Sequence, residues 1–144
     1  MRVRTSLSRG RGERRGPAQT ARAGASSRAI LVVEDEPALR RALAALLTRD
    51  GYQVAVAANG QEALRACAQQ TYTRILCDLH MPELDGRGVY QALQRCQPAL
   101  CARVVFLTGD TLSPEVQAFL AQTGVPVLTK PFTAACLRSL LTAG

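Results

Sequence analysis

Residues 74–86 read RILCDLHMPELDG, and this stretch decides the fold and locates the candidate site. Ile75-Leu76-Cys77 is a short apolar run, which is typical of a strand buried on both faces of a sheet. The run ends in a single carboxylate, Asp78, and a loop containing Pro82 and Gly86 follows. Ligands of open α/β sheets bind beyond the carboxyl ends of the strands. Asp78 is therefore a candidate functional residue. The alternative is that Asp78 only caps the following turn.

Four other apolar runs predict strands, and segments with helical spacing of apolar residues alternate with them. The predicted strands are Ala29–Val33, Tyr52–Ala57, Val104–Leu107 and Val125–Leu128. The predicted helices begin near Pro37, Asn59, Gly88, Ser113 and Thr133. Five strands that alternate with five helices indicate an α/β fold with a parallel sheet and helices on both faces. We predict a doubly wound five-stranded sheet in the order 2-1-3-4-5.

The charge of the chain is concentrated in its first 28 residues. Residues 1–28 carry eight arginines and one acid, a net charge of +7, whereas residues 29–144 carry ten basic and ten acidic side chains. The first segment has too few large apolar side chains to offset its chain entropy, so we predict a basic, disordered N-terminal segment at 1–28 and a folded domain at 29–144. Two interpretations stay open for this segment. It could bind nucleic acid or anionic lipid weakly and in a salt-sensitive way, or it could be a solvated leader or linker.

Membrane insertion and secretion are not expected. No apolar run approaches the roughly 18 residues of a transmembrane helix, and the N-terminus lacks the apolar core of a secretory signal. A transit peptide is the alternative for the Arg- and Ser-rich start. The five cysteines form no CxxC pair, and we predict that they are reduced and mostly buried. These features indicate a cytoplasmic protein.

Polar side chains of complementary chemistry end four of the five predicted strands. They are Glu34 and Asp35 after the first strand, Asp78 on the third, Thr108 on the fourth and Lys130 after the fifth. Carboxylates brought close together repel one another unless a cation is present, and Mg²⁺ prefers oxygen ligands. A metal ion and an ammonium group could hold the oxygens of a phosphoryl group while Asp78 attacks as a nucleophile.

Four sequence blocks, ILVVEDEP, ILCDLHMPELDG, FLTGD and VLTKPF, resemble the signature motifs of the response-regulator receiver domain of bacterial two-component signalling. The resemblance covers residues 29–144 and implies a flavodoxin-like receiver fold. It implies that Asp78 is the phospho-acceptor, that Asp35 binds Mg²⁺ directly, and that Glu34 binds it mostly through water. It also implies that the backbone carbonyl of His80 is a further ligand of the metal.

The resemblance also assigns roles to the ends of the last two strands. Thr108 is the expected switch hydroxyl, Lys130 the amine that pairs with the phosphoryl group, and Lys130–Pro131 a candidate cis peptide bond. Two features depart from the family pattern. Val127 stands where many members carry an aromatic switch residue, and His80 beside the acceptor is either an exposed side chain or a general acid or base.

The function implied is that of a phospho-accepting receiver in a phosphorelay, which is not a conventional enzyme although it promotes its own phosphorylation and dephosphorylation. The expected partner is a sensor histidine kinase or a histidine phosphotransfer protein. A homodimer is left open, and nucleic acid is not expected as a partner. The last two blocks look most like receivers at the ends of hybrid sensor kinases, so a stand-alone receiver and a piece of a hybrid kinase are both open.

Two other functions compete with this interpretation. A phosphatase of the haloacid dehalogenase type also uses a strand-end aspartate, but that class requires a second Asp two residues later, where this chain has His80. A binding module that works without phosphorylation is the other alternative. The joint presence of Asp35, Asp78, Thr108 and Lys130 argues against it.

Overall fold

A computed structural model describes residues 28–109 and 113–143 of the chain. Its strands are β1 (Ala29–Val33), β2 (Gln53–Ala57), β3 (Arg74–Asp78), β4 (Val104–Thr108) and β5 (Val127–Thr129). Its long helices are α1 (Pro37–Arg49), α2 (Gly60–Gln69), α3 (Gly86–Cys96), α4 (Pro114–Thr123) and α5 (Ala134–Ala143), and one helical turn covers Pro98–Cys101. All strand pairs are parallel and the order is β2-β1-β3-β4-β5, which confirms the predicted fold.

The central strands are apolar on both faces because helices cover both faces. Along β1, alternate side chains enter two separate cores: Leu31 packs on the side of α2, α3 and α4, whereas Ile30 and Val32 pack on the side of α1 and α5. Winding therefore changes direction between β1 and β3. The carboxyl ends of these two adjacent strands form the crevice in which ligands of such sheets bind.

Several element boundaries differ from the prediction by one or two residues, and two of these differences have local reasons. α3 begins at Gly86, because the carboxylate of Asp85 accepts a hydrogen bond from the N–H of Gly88 at 2.9 Å and so caps the helix two residues early. β5 begins at Val127 and not at Val125, since Pro126 has no N–H to donate to a strand ladder. β2 begins one residue later than predicted, at Gln53.

The cysteine prediction holds for three of the five residues. Cys67, Cys77 and Cys101 are buried, whereas Cys96 and Cys136 are exposed, and all five are free thiols. Burial raises the pKa of the Cys67 thiol to about 11, so this group stays protonated at neutral pH.

Arg28 contacts the folded body, although the sequence placed it in the N-terminal segment. Its guanidinium donates to the backbone oxygens of Asp50 at 3.0 Å and Gly51 at 3.3 Å, and lies 4.7 Å from the ring centre of Tyr52. Residues 1–27 lie outside the described part of the chain, so their disorder stays a prediction. No helix among the described residues is long and apolar enough to cross a bilayer.

Candidate functional site

Three carboxylates meet at the carboxyl ends of β1 and β3. Glu34 and Asp35 follow β1 directly, and Asp78 is the last residue of β3. One carboxylate oxygen from each residue lies within 4.8 Å of the others. Glu34 and Asp78 are buried, with exposed fractions of 1% and 5%, whereas Asp35 is exposed. The structure thus brings together the acidic residues that the strand order predicted to meet.

Both carboxylate oxygens of Glu34 have partners within the protein. Oε2 accepts a hydrogen bond from the N–H of Glu36 at 3.1 Å, and Oε1 accepts one from Nζ of Lys130, also at 3.1 Å. Burial raises the pKa of the Glu34 carboxyl, the Glu36 N–H lowers it, the charge of Asp78 raises it and Lys130 lowers it, and the net change is upward. Both oxygens of the buried Glu34 carboxylate therefore already accept hydrogen bonds, whereas the neighbouring Asp35 carboxylate faces solvent.

The side chain of Asp78 is held by one donor on each oxygen. Oδ1 accepts a hydrogen bond from the N–H of His80 at 3.2 Å, and Oδ2 accepts one from Nζ of Lys130 at 3.4 Å. Partial burial lowers the pKa of Lys130, but its hydrogen bond to Glu34 and the charges of Asp78 and Glu34 outweigh burial, and the pKa is raised. Lys130 is therefore a fixed ammonium that bridges the acids of two strands.

Thr108 and His80 complete the predicted set. Thr108 is buried at the end of β4, and its backbone oxygen accepts the N–H of Lys130 at 2.6 Å. The side chain of His80 is exposed, and its backbone N–H contacts Asp78. The Lys130–Pro131 bond is cis, as predicted. The structure places all these residues at one end of the sheet; the carbonyl of His80 as a metal ligand stays a prediction.

Arg40 is a site residue that the sequence reasoning missed. From the first turn of α1, Nη1 donates to the backbone oxygen of Glu34 at 2.8 Å and of Asp35 at 3.5 Å. A signal was present: a cation near a helix N-terminus is unfavourable for the helix dipole, so another interaction has to compensate. The compensation here is the contact with the loop that carries both acids.

Gly86 allows the start of α3 to lie against the acceptor strand. A Cβ on this residue would lie 2.8 Å from the backbone oxygen of Asp78 and 3.0 Å from Cα of Leu79. Its N–H donates to the backbone oxygen of Leu79 at 3.1 Å. The glycine that ends the quoted block therefore closes the loop directly behind the acceptor.

An aliphatic side chain, Val127, stands at the position where the resemblance implies an aromatic switch residue. Val127 is half-buried and packs against the core on the side of α4. Aromatic rings do lie between α3, β4 and α4: the ring of Phe119 is 5.5 Å from that of Tyr90 and 5.9 Å from that of Phe106. Phe106 lies two residues before Thr108 on β4, so this cluster connects the end of that strand to α4.

The donor set fits a hard divalent cation. Three carboxylates supply oxygen ligands and negative charge, and Asp35 is open to solvent, so a bound ion could keep several waters, as Mg²⁺ prefers. The ammonium group of Lys130, which follows β5 at the same end of the sheet, contacts two of these carboxylates, Glu34 and Asp78. A site with a cation on one side and an ammonium on the other is suited to an incoming phosphoryl group.

Comparison with known proteins gives a consistent result. Residues 30–142 match the family profile of the response regulator receiver domain. The transcriptional regulatory protein GlrR of Escherichia coli is 34% identical over 102 residues, which cover 71% of this chain and 22% of that protein. The sensor histidine kinase RcsC of Salmonella typhi is 36% identical over 112 residues, covering 78% of this chain and 12% of that protein.

Solved structures show the same similarity. The receiver domain of a Pseudomonas aeruginosa sensor histidine kinase, determined with a magnesium ion coordinated in its active site cleft, aligns with a TM-score of 0.71 and 31% identity. The alignment covers 81% of this chain and 95% of that one. In contrast, this chain spans less than a quarter of the length of GlrR and RcsC.

Proposed function

Because this chain belongs to the response regulator receiver domain family of two-component systems, we propose that Asp78 accepts a phosphoryl group from a phosphohistidine, with Mg²⁺ bound by the neighbouring acids. The observation that carries the proposal is the position of the Asp78 carboxylate. It lies 3.4 Å from Nζ of Lys130 and within 4.8 Å of the oxygens of Glu34 and Asp35.

Each residue has a task in the transfer. A carboxylate oxygen of Asp78 forms a bond to phosphorus while the phosphorus–nitrogen bond breaks, and the imidazole of the donor leaves with the electron pair. Lys130, already charged and fixed between Glu34 and Asp78, can turn to an oxygen of the phosphoryl group. Asp35 and Asp78 would hold the metal directly, Glu34 would act mostly through water, and the carbonyl of His80 would complete the protein ligands. When bound, Mg²⁺ would neutralise charge on the phosphoryl oxygens.

The arrangement of Glu34 supports the division of roles between the two adjacent acids. Its carboxylate oxygens are already engaged by Lys130 and the N–H of Glu36, whereas Asp35 is exposed. A cation in the crevice can therefore reach Asp35 without breaking a contact.

The readout of phosphorylation is part of the proposal. The hydroxyl of Thr108 moves toward a phosphoryl oxygen, because charge-assisted hydrogen bonds are the strong ones available. The movement shifts the loop after β4 and so changes the face formed by α4, β5 and α5. Since Val127 has no ring to rotate, the change passes through the loop and α4.

The proposed partner is a sensor histidine kinase or a histidine phosphotransfer protein in the cytoplasm, and self-association into a homodimer stays open. The receiver promotes its own phosphorylation and dephosphorylation and is no conventional enzyme. A phosphatase of the haloacid dehalogenase type is less well supported, because His80 takes the place of its second aspartate. The relatives include a transcriptional regulatory protein, GlrR, and a sensor histidine kinase, RcsC, so a stand-alone receiver and a piece of a hybrid kinase both stay open.

The decisive experiment incubates the protein with Mg²⁺ and acetyl phosphate and measures the intact mass. We expect a mass increase of one phosphoryl group in the wild type and in Glu83→Gln, an exposed acid of the loop after β3 that serves as the matched control. The adduct should be absent in Asp78→Asn. An adduct that persists in Asp78→Asn would refute the assignment of the acceptor.

A further inference from the structure

The charges of the folded body are separated between the two ends of the sheet. With one exception, the acidic side chains of the described residues lie at the carboxyl end, at or after the ends of strands or in the first turns of helices. They are Glu34, Asp35, Glu36, Glu62, Asp78, Glu83, Asp85 and Glu115. The exception is Asp50, which ends α1 at the opposite end of the sheet.

Arginines collect at that opposite end, where strands begin and helices end. This group, here called the basic pole, consists of Arg28, Arg49, Arg74, Arg95, Arg103 and Arg138. Arg138 pairs with Asp50 through two hydrogen bonds of 2.7 and 3.1 Å. Among the described residues, Asp50 is therefore the one acid that balances this set of guanidinium groups.

Helix stability explains only part of the basic pole. Arg49 and Arg95 lie in the last turns of α1 and α3, where cations stabilise the carboxyl end of a helix. Arg28, Arg74 and Arg103 have no such role, because they stand at or directly before the first residues of β1, β3 and β4, three adjacent strands.

A cavity of about 400 Å³ opens at the basic pole beside two of these arginines. Arg74 donates to the backbone oxygen of Thr73 at 2.9 Å, and Arg103 donates to that of Tyr72 at 2.8 Å. Neither forms an ion pair with a carboxylate of the described residues, and each guanidinium has further N–H donors. Apart from these two residues, the cavity is lined by Ala102, Val104, Val105, Pro126 and Leu140.

A second cavity, of about 370 Å³, continues the basic pole on the other side of α5. It is lined by Arg28, Asp50, Tyr52, Arg138 and Thr142. Since Leu140 lines the first cavity and its neighbours along α5 line the second, the two flank the carboxyl-terminal half of this helix. The basic pole thus presents two cavities beside α5: the first combines two guanidinium groups with apolar side chains, and the second combines two guanidinium groups with Asp50 and Tyr52.

We propose that the basic pole binds an acidic segment of a partner protein, in which Asp or Glu residues alternate with aliphatic side chains. Guanidinium forks match carboxylates in geometry, and the apolar walls of the first cavity offer a place for the aliphatic side chains. The chain's own N-terminal segment is not such an occupant, because residues 1–27 carry seven arginines and one acid.

Nucleic acid fits the basic pole less well. Proteins that bind single-stranded nucleic acid combine a basic groove with aromatic rings on which the bases stack. Here the ring of Tyr52 is covered by Arg28, and no other aromatic ring among the described residues lines the two cavities. Because the basic pole lies at the end of the sheet opposite to Asp78, its ligand can be held independently of phosphorylation.

The test measures fluorescence anisotropy of a short labelled peptide of alternating Glu and Leu residues with the full-length chain. We expect binding that weakens by about tenfold or more in Arg74→Glu/Arg103→Glu, because two favourable charge contacts become repulsive. The control, Arg41→Glu/Arg65→Glu, makes the same change of net charge at exposed positions of α1 and α2 and should change binding by less than about twofold.

Further arms make the result decisive. Arg74→Gln/Arg103→Gln repeats the experiment without charge reversal, in case the reversed protein is unstable, and a peptide of alternating Glu and Ser tests the apolar contribution. The proposal is overturned by absent binding to the wild type, by equal losses in the pole and control variants, or by equal affinity for the Glu–Ser peptide. Preferential, pole-dependent binding of a labelled DNA oligonucleotide would overturn it too. Unchanged labelling by acetyl phosphate separates the pole from the acceptor site.

Discussion

Replacing Arg40 by glutamine distinguishes positioning of the acidic loop from simple electrostatics, because the two predict opposite signs for Mg²⁺ affinity. Arg40 donates to the backbone oxygens of Glu34 and Asp35, at 2.8 and 3.5 Å, and so holds the loop that presents Asp35. It also places a positive charge beside a site for a cation. If only the charge matters, its removal tightens Mg²⁺ binding; if the contact orients Asp35, its removal weakens binding.

The magnitudes favour positioning. At a distance of about 8 Å in water, a single positive charge opposes a divalent cation by about 1 kcal/mol before salt screening. Its removal alone would tighten binding by up to about fivefold. A hydrogen bond from a charged group contributes about 1.5–3 kcal/mol. If most of that energy orients the loop, the net result for Arg40→Gln is a weakening of about threefold or more.

Arg41 supplies the matched control. It is the next residue of α1, it is exposed, and it forms no hydrogen bond or ion pair with any described residue. Arg41→Gln therefore removes a positive charge near the site without removing a contact with the acidic loop. We expect unchanged or slightly tighter Mg²⁺ binding in this variant. Arg40→Lys keeps the charge but loses the planar fork, and should lie between the wild type and Arg40→Gln.

The assay is a Mg²⁺ titration followed by calorimetry or by amide chemical shifts, since the chain has no tryptophan. Thermal unfolding without metal checks that each variant is folded. Mg²⁺ binding to Arg40→Gln that is as tight as, or tighter than, binding to Arg41→Gln would refute the positioning argument. In that case the contact would be a structural detail of the loop.

Three further predictions follow from the same geometry. Asp35→Ala should weaken Mg²⁺ binding more than Glu34→Ala, because direct ligation outweighs a contact through water; equal losses in calorimetric titrations would mean that the roles are wrong. Thr108→Ala should uncouple phosphorylation from the shift of the face formed by α4, β5 and α5, whereas Val127→Ala should not. Amide shifts with beryllofluoride test this, and a full shift pattern in the threonine variant would contradict it. A hydrogen bond from α5 holds the pKa of Asp50 below its ordinary value, so this carboxylate stabilises the fold at neutral pH and loses that effect as pH falls through the lowered pKa. The difference in melting temperature between wild type and Asp50→Asn should therefore shrink below about pH 4, and a constant difference would count against the pair.

Local patterns in the sequence were sufficient for the strands, their order and the end of the sheet that carries the chemistry. Ala29–Val33 and Ile75-Leu76-Cys77 are apolar at every position because both of their faces are covered, and such runs are visible without any tertiary information. Since parallel strands all end at one edge of the sheet, acids after two of them and a lysine after a third had to share that edge. The resemblance to the receiver family made the aliphatic Val127, at a position where many members carry an aromatic residue, equally visible.

Only the tertiary structure decided which side chains at that edge are buried, which face solvent and which contact one another. Glu34 and Asp35 are neighbours in sequence, yet one is buried against Lys130 and the other faces solvent, because successive side chains at a strand end point in opposite directions. The contact of Arg40 with the acidic loop and the collection of arginines from separate strand starts into one surface depend on how loops and helices return to the sheet. These contacts join residues that are not related by any periodic spacing in the sequence. The hydrophobic pattern therefore predicts the strands and helices, but it does not predict which side chains contact one another.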